Sequence, residues 1–122
     1  MNYVIHALRN PFTYTGRASR AEFWCFFFFG IAVQAVIALL MAAGAYVSAT
    51  VVLVLLYVMI ATSAAAFVVF LSLCVRRAHD FGTGGWIAVP MILFLPILII
   101  CGIIDGHYRT NRYGPKPKAL DF

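Results

Sequence analysis

Between Glu22 and Arg76 the chain carries no Asp, Glu, Lys or Arg, a run of 53 residues from 23 to 75. As one α-helix this run would be about 80 Å long at 1.5 Å per residue, whereas the hydrocarbon core of a bilayer is about 30 Å thick. A chain of this kind crosses, turns and crosses back. The turn falls at Gly44 to Thr50, where Gly44, Ser48 and Thr50 interrupt aliphatic sequence and a helix can restart. The expected spans are residues 23–43 and 51–75. A third uncharged run, residues 86–104, has 19 residues and contains Pro90 and Pro96, and it is just long enough to span.

Composition points the same way. The chain is 64% hydrophobic and 11% charged, against about 45–50% and about 25% in soluble domains. It has too few polar side chains to coat a water-facing surface, and too many apolar and aromatic ones to stay disordered. The length of 122 residues holds one membrane domain and no second folded domain. Residues 1–22 form a long lead-in to a span-length apolar run. The first span therefore reads as an uncleaved anchor, although Ala43-Gly44-Ala45 resembles a signal-peptide cleavage site.

Basic residues set the orientation. Arg9, Arg17 and Arg20 precede the first span, Arg76 and Arg77 close the second, and the turn between them is uncharged. The positive-inside rule places the N-terminal segment and the 76–85 loop in the cytoplasm. Arg109, Arg112, Lys116 and Lys118 follow the third run. Three full spans export those four and leave five inside; a re-entrant third segment, broken at its prolines, leaves all nine inside. Re-entrant backbone requires cover by other helices. The expected fold is therefore an all-α integral membrane protein with three transmembrane helices, the re-entrant form being the alternative. In the three-span form Cys25 and Cys74 lie near the cytoplasmic side and Cys101 near the opposite one.

At the N-terminus Val4, Ala7, Leu8 and Phe12 recur at helical spacing before and across Pro11, with His6 and Arg9 on other faces. This is the pattern of a short interfacial helix; an irregular tail is the other reading. Ser19-Arg20-Ala21-Glu22 is a capping box that opens the first span. Inside that span Gln34 is the one strongly polar group, and lipid offers it no partner, so it is expected to tie helices together or to meet a substrate. Ala38 and Ala42, and Ala61, Thr62, Ala65 and Ala66, let helix backbones approach closely. The three cysteines sit in apolar sequence without Cys-x-x-Cys or metal spacing, which makes them packing residues.

The loop Arg76-Arg77-Ala78-His79-Asp80-Phe81-Gly82-Thr83-Gly84-Gly85-Trp86 concentrates polar groups. On a helical continuation Asp80 can pair with Arg77 or Arg76. Glu22 shares a membrane side with the loop, so Glu22 can bridge to Arg76 or Arg77, and Arg17 or Arg20 can bridge to Asp80. Alternatively, Arg76, Arg77 and the glycine turn can receive an anionic head group. It is not a phosphate-binding P-loop, since no Gly-Lys-Ser/Thr follows in order. Hydrolase and zinc-protease motifs are missing, and no acid lies inside a span, so neither catalysis nor ion transport is indicated. No enzyme activity, cofactor, metal or nucleic-acid binding is expected. The basic excess is suited to anionic lipid head groups.

Three clusters together resemble a known family. Gly16-Arg17-Ala18-Ser19-Arg20-Ala21-Glu22-Phe23-Trp24, then Arg76-Arg77-Ala78-His79-Asp80-Phe81-Gly82 with Gly85-Trp86, then Asn111-Arg112-Tyr113-Gly114-Pro115 are similar to the domain of unknown function 805 family. The resemblance implies a small multi-span helical protein of the bacterial inner membrane with no activity assigned. Lys116 departs from it, standing where the family commonly has an acid. The candidate site is accordingly Arg17, Arg20, Glu22, Arg76, Arg77, His79, Asp80, Gly82, Asn111, Arg112 and Tyr113, with Gln34 as a separate intramembrane contact. The expected role is an interaction or scaffold component that binds anionic lipid or a partner membrane protein, or associates with itself. The rival expectation is a transporter or channel subunit acting as an oligomer, with a wet path past Gln34.

Overall fold

A computed structural model describes residues 2–117. Two long helices dominate it. Ser19 caps α2 (Arg20–Gly44), its hydroxyl accepting from the Glu22 N–H at 3.1 Å, and Ser48 caps α3 (Ala49–Asp80) in the same way through the Val51 N–H at 3.3 Å. At 1.5 Å per residue these helices are about 38 and about 48 Å long, so either can cross the ~30 Å core. Both are apolar enough to do so. The turn between them, residues 45–48, falls where the small and hydroxylated residues place it. The helices are antiparallel neighbours: Glu22 meets Arg76 at one end and Gln34 meets Thr62 further along. Leu39, Leu40, Val54, Tyr57 and Phe67 stay exposed, as on helices that are apolar all round and lie in lipid.

A short helix, α1 (Asn2–Arg9), lies across α2 and buries Tyr3 and Ala7. The interfacial helix expected from the pattern is formed as far as Arg9; Leu8 is half exposed, and Phe12, beyond the helix end and Pro11, is 73% exposed.

The expected third full helix over 86–104 is not formed. After a 3₁₀ turn (Gly85–Ile87) the segment folds as α4 (Ala88–Leu93) and α5 (Leu95–Ile103), separated at Phe94, where φ −125° and ψ 104° are extended. Pro96 causes the break, since it has no N–H for the Ile92 carbonyl and its ring would strike that carbonyl in a continuous helix. It sits instead in the first turn of α5, where no N–H is needed. Neither piece, about 9 and about 14 Å long, reaches across ~30 Å. The chain also comes back: the His107 N–H donates to the Asp80 carbonyl at 2.9 Å, so the segment starts and finishes at the same end of the α2–α3 pair. Cys101 lies at that end too, its carbonyl bonded by Arg77 Nε at 2.9 Å, rather than opposite Cys74.

The core gathers at this end. Phe23, Phe26, Val69, Leu73 and Cys74 pack with Ala88, Met91 and Leu98 of the α4–α5 hairpin and with Ala7 of α1. Trp24 Nε1 donates to the Gly102 carbonyl at 3.0 Å, and a Cβ at position 102 would lie 2.6 Å from the Trp24 ring. Gly102 is thus what lets α5 rest on Trp24. Gly102→Ala should lower stability by about 1–3 kcal/mol, the usual penalty for overpacking, and shift Trp24 emission in detergent micelles; an unchanged melting temperature would contradict this seat for α5.

Candidate functional site

The last turn of α3 is rich in charge, and yet Arg76, Arg77, His79 and Asp80 are all buried, as are Arg17 and Glu22 facing them. Each charge has an opposite partner. Arg76 Nη1 lies 3.1 Å from Glu22 Oε1, and the same oxygen is 3.0 Å from His6 Nδ1 on α1. Glu22 therefore faces the Arg76 guanidinium and the His6 imidazole instead of reaching back to its own helix cap. Asp80 Oδ1 takes Arg17 Nε at 2.8 Å and Nη2 at 2.6 Å, and Asp80 Oδ2 takes Arg77 Nη1. Both bridges that the shared membrane side allowed are made, through the Glu22–Arg76 and Arg17–Asp80 pairs.

The remaining donors of Arg17 and Arg77 hold the tail, whereas Arg76 Nε and Nη2 are buried without a partner. Arg77 donates to the carbonyls of Cys101 and Ile104, and at 3.4 Å to that of Ala18. Arg17 donates to the carbonyls of His107, Arg109 (2.9 Å) and Gly114 (3.4 Å). Arg20 Nη1 reaches the Ile103 carbonyl at 3.1 Å. With Trp24 on Gly102, the carbonyls at the C-terminus of α5 are taken up by side chains of α2 and α3. Two of those are cationic, which also suits the negative end of that helix. The tail passes close by: a Cβ at Gly106 would lie 1.9 Å from Asp80 Oδ2, so only glycine fits there.

The third cluster closes over the second. Asn111 Nδ2 donates to the His79 carbonyl at 2.9 Å, Asn111 Oδ1 accepts from the Tyr113 N–H at 2.9 Å, and the Tyr113 ring stacks on His79 with centroids 3.9 Å apart. His79 Nδ1 meets the Gly16 carbonyl at 3.2 Å. Gly82, at φ +72°, turns the chain beneath the His107 ring. The N–H groups of Phe81, Gly82 and Thr83 bond back to Ala78 and His79, which closes the end of α3 and leaves them turned away from any anion. Of the candidate residues, then, Arg17, Glu22, Arg76, Arg77, His79, Asp80, Gly82, Asn111 and Tyr113 form one connected cluster. Arg20 and Arg112 lie at its surface, Arg20 in an exposed pair with Asp105 at 2.8 Å. Gln34 stands apart, its Nε2 3.3 Å from Thr62 Oγ1, as a tie between α2 and α3.

Sequence reasoning missed His6, Trp24 as a clasp, Ser72, whose hydroxyl donates to the Thr13 carbonyl at 2.7 Å, and the two glycines 102 and 106. A capping box assigns Glu22 a local partner, and nothing in the spacing shows that Arg76 and His6 compete for it.

All three clusters fall within residues 11–115, which match the family described as Protein of unknown function (DUF805). The chain belongs to the DUF805 family. Two curated relatives from Escherichia coli K12 are inner membrane proteins. Inner membrane protein YhaI is 31% identical over 123 aligned positions, with 97% of each chain covered. Inner membrane protein YhaH is 29% identical over 129 positions, covering 97% of this chain and 98% of that one. No solved structure matches. This DUF805 chain is thus an all-helical membrane protein, with two helices able to cross a bilayer and a family without an assigned activity.

Removing one partner of a buried pair leaves the other charge uncompensated, at about 3–5 kcal/mol, whereas exposed pairs contribute about 0–1 kcal/mol. Asp80→Ala should therefore greatly destabilise this protein in detergent and free the tail to proteolysis, while Arg20→Ala changes melting little. Equal effects from the two would mean that Asp80 does not organise the cluster.

Proposed function

We propose that this chain is a two-span protein of the cytoplasmic membrane with a re-entrant third segment and both ends in the cytoplasm. It acts there as a non-enzymatic interaction component that binds anionic lipid head groups. The observation that carries this reading is the return of the tail to Asp80, through the His107 N–H. With the tail at that end, Arg9, Arg17, Arg20, Arg76, Arg77, Arg109, Arg112 and Lys116 all gather on one side of the bundle, in keeping with the positive-inside rule. Lys118 lies outside the described residues. Re-entrant backbone needs protein cover, and α4 and α5 have it along Ala88, Met91 and Leu98.

Burial divides the basic residues by role. Arg17, Arg76 and Arg77 are engaged inside, so the contacts with lipid fall to exposed Arg9, Arg109, Arg112 and Lys116. Arg112 lies over the Tyr113 ring and Lys116 over Tyr108, at 4.8 and 4.7 Å, an aromatic and basic rim of the kind that suits a head-group layer. A transport role would require water past Gln34, whose Nε2 is bonded to Thr62 and whose Oε1 is buried in a mostly apolar cleft.

Two measurements test the reading. A single Cys at position 117, with the native cysteines replaced, should be protected from an impermeant thiol reagent in intact cells and labelled after permeabilisation. Labelling in intact cells would restore three spans. Replacing Arg109, Arg112 and Lys116 by Ala should weaken retention of anionic lipid about a hundredfold, at ~1 kcal/mol per basic residue, with the fold unchanged. Undiminished anionic lipid in native mass spectra would remove the lipid-binding role.

A further inference from the structure

The tip of the α4–α5 hairpin leaves backbone groups without partners. The Phe94 N–H donates to the Pro90 carbonyl at 3.0 Å, and the Phe94 carbonyl accepts from Ile97 and Leu98 at 3.0 and 3.1 Å. The carbonyls of Met91, Ile92 and Leu93 need donors from residues 95 to 97. Leu95 N–H makes no such bond, Pro96 has no N–H, and Ile97 is taken. One donor and three acceptors are thus free among the described residues, on a single turn. That turn is also bare: Leu93, Phe94 and Leu95 are 69%, 59% and 61% exposed.

In water such groups would be solvated. On the re-entrant reading proposed above, on which this inference rests, they are not. Gly85 sits against Val75 and His79 at the charged end, and the ten residues from it to Phe94 rise about 15 Å, near the middle of a ~30 Å hydrocarbon core. Lipid chains offer no hydrogen bonds, and irregular backbone at this depth persists only where protein or water covers it.

The free groups themselves indicate what covers them. A second copy related by a two-fold axis along the membrane normal presents the same turn at the same depth. Because the turn carries both a donor and acceptors, two copies satisfy each other in both directions, as an isologous contact requires. Gln34 Nε2 donates to Thr62 Oγ1 on the neighbouring helix, and Gln34 Oε1, which has no partner, is buried among residues of α2 and α3 and not at this turn. Val89, Leu93, Phe94, Leu95 and Ile100 surround the turn with exposed apolar surface for packing. We propose that the Leu93–Pro96 turn is a self-association surface, at which the Leu95 N–H of each copy donates to a free carbonyl in the last turn of α4 of the other.

Leu95→Pro tests the bond itself. It removes the N–H at the first position of α5, where helices accept proline, and Phe94 already has the extended backbone that precedes a proline. The hairpin therefore survives. Energy transfer between labelled copies in liposomes should show the dimer dissociation constant rising about tenfold, the effect of losing two intramembrane hydrogen bonds. Leu95→Ile, which keeps the N–H, should stay within about twofold of wild type. In a background with Cys25, Cys74 and Cys101 replaced, Phe94→Cys should form a disulfide dimer in membranes, and Phe29→Cys, on the flank of α2 that faces α1, should not. An unchanged dissociation constant for Leu95→Pro, equal cross-linking at both positions, or a cross-link from position 94 to a different protein would each overturn the proposal. Failure of the underlying reading looks different. If Phe94→Cys is labelled by an impermeant reagent in intact cells, the segment is not re-entrant. If it is protected but the protein stays monomeric, only the self-association fails.

Discussion

The Asp80 carboxylate, gripped by Arg17 on one side and Arg77 on the other, is the contact on which the rest of the structure depends. A single carboxylate cannot balance two guanidinium groups in a site this dry, so the surplus donors must find further acceptors. They find them in the carbonyls of residues 101, 104, 107, 109 and 114. The excess positive charge of the cluster is thereby turned into a grip on the tail. That grip holds α5 against Trp24 and brings Asn111 and Tyr113 over His79.

The architecture follows from where that cluster lies. Because it occupies one end of the α2–α3 pair, α1 and the α4–α5 hairpin are drawn to that end and the core forms there, while the other half of the long helices stays bare of protein. The half-length hairpin is the counterpart of that arrangement: a full third helix would carry residue 104 to the far end, out of reach of Arg77. Arg76 and Glu22 extend the same logic to α1, since His6 joins them and anchors that helix to the cluster.

Charge is consequently sorted by depth. Arg17, Arg76 and Arg77 of the motifs are buried and paired with carboxylates, whereas Arg20 and Arg112, also motif residues, lie at the surface with the cations of α1 and the tail. Most of the motif residues hold the fold together.

Much was legible from residues alone. Two long spans follow from the uncharged run, because no soluble packing can hide 53 such residues in a chain this short. The turn at 45–48 and the Ser19 cap follow from small and hydroxylated residues, and polar groups on a shared membrane side called for a tie at Gln34 and for bridges of Glu22 to Arg76 or Arg77 and of Asp80 to Arg17 or Arg20, among which the structure chose. The fate of the third segment was not decided there. Pro96 announces a break, but a broken segment can continue across or turn back, and the choice rests on what waits for its far end. What waits are guanidinium groups that bind backbone carbonyls, and every residue has a carbonyl, so the tail carries no side-chain pattern that reveals the contact. Sequence determined that this protein lives in a membrane and which charges must be paired; only the tertiary structure decided that the leftover donors of those pairs pull the chain back.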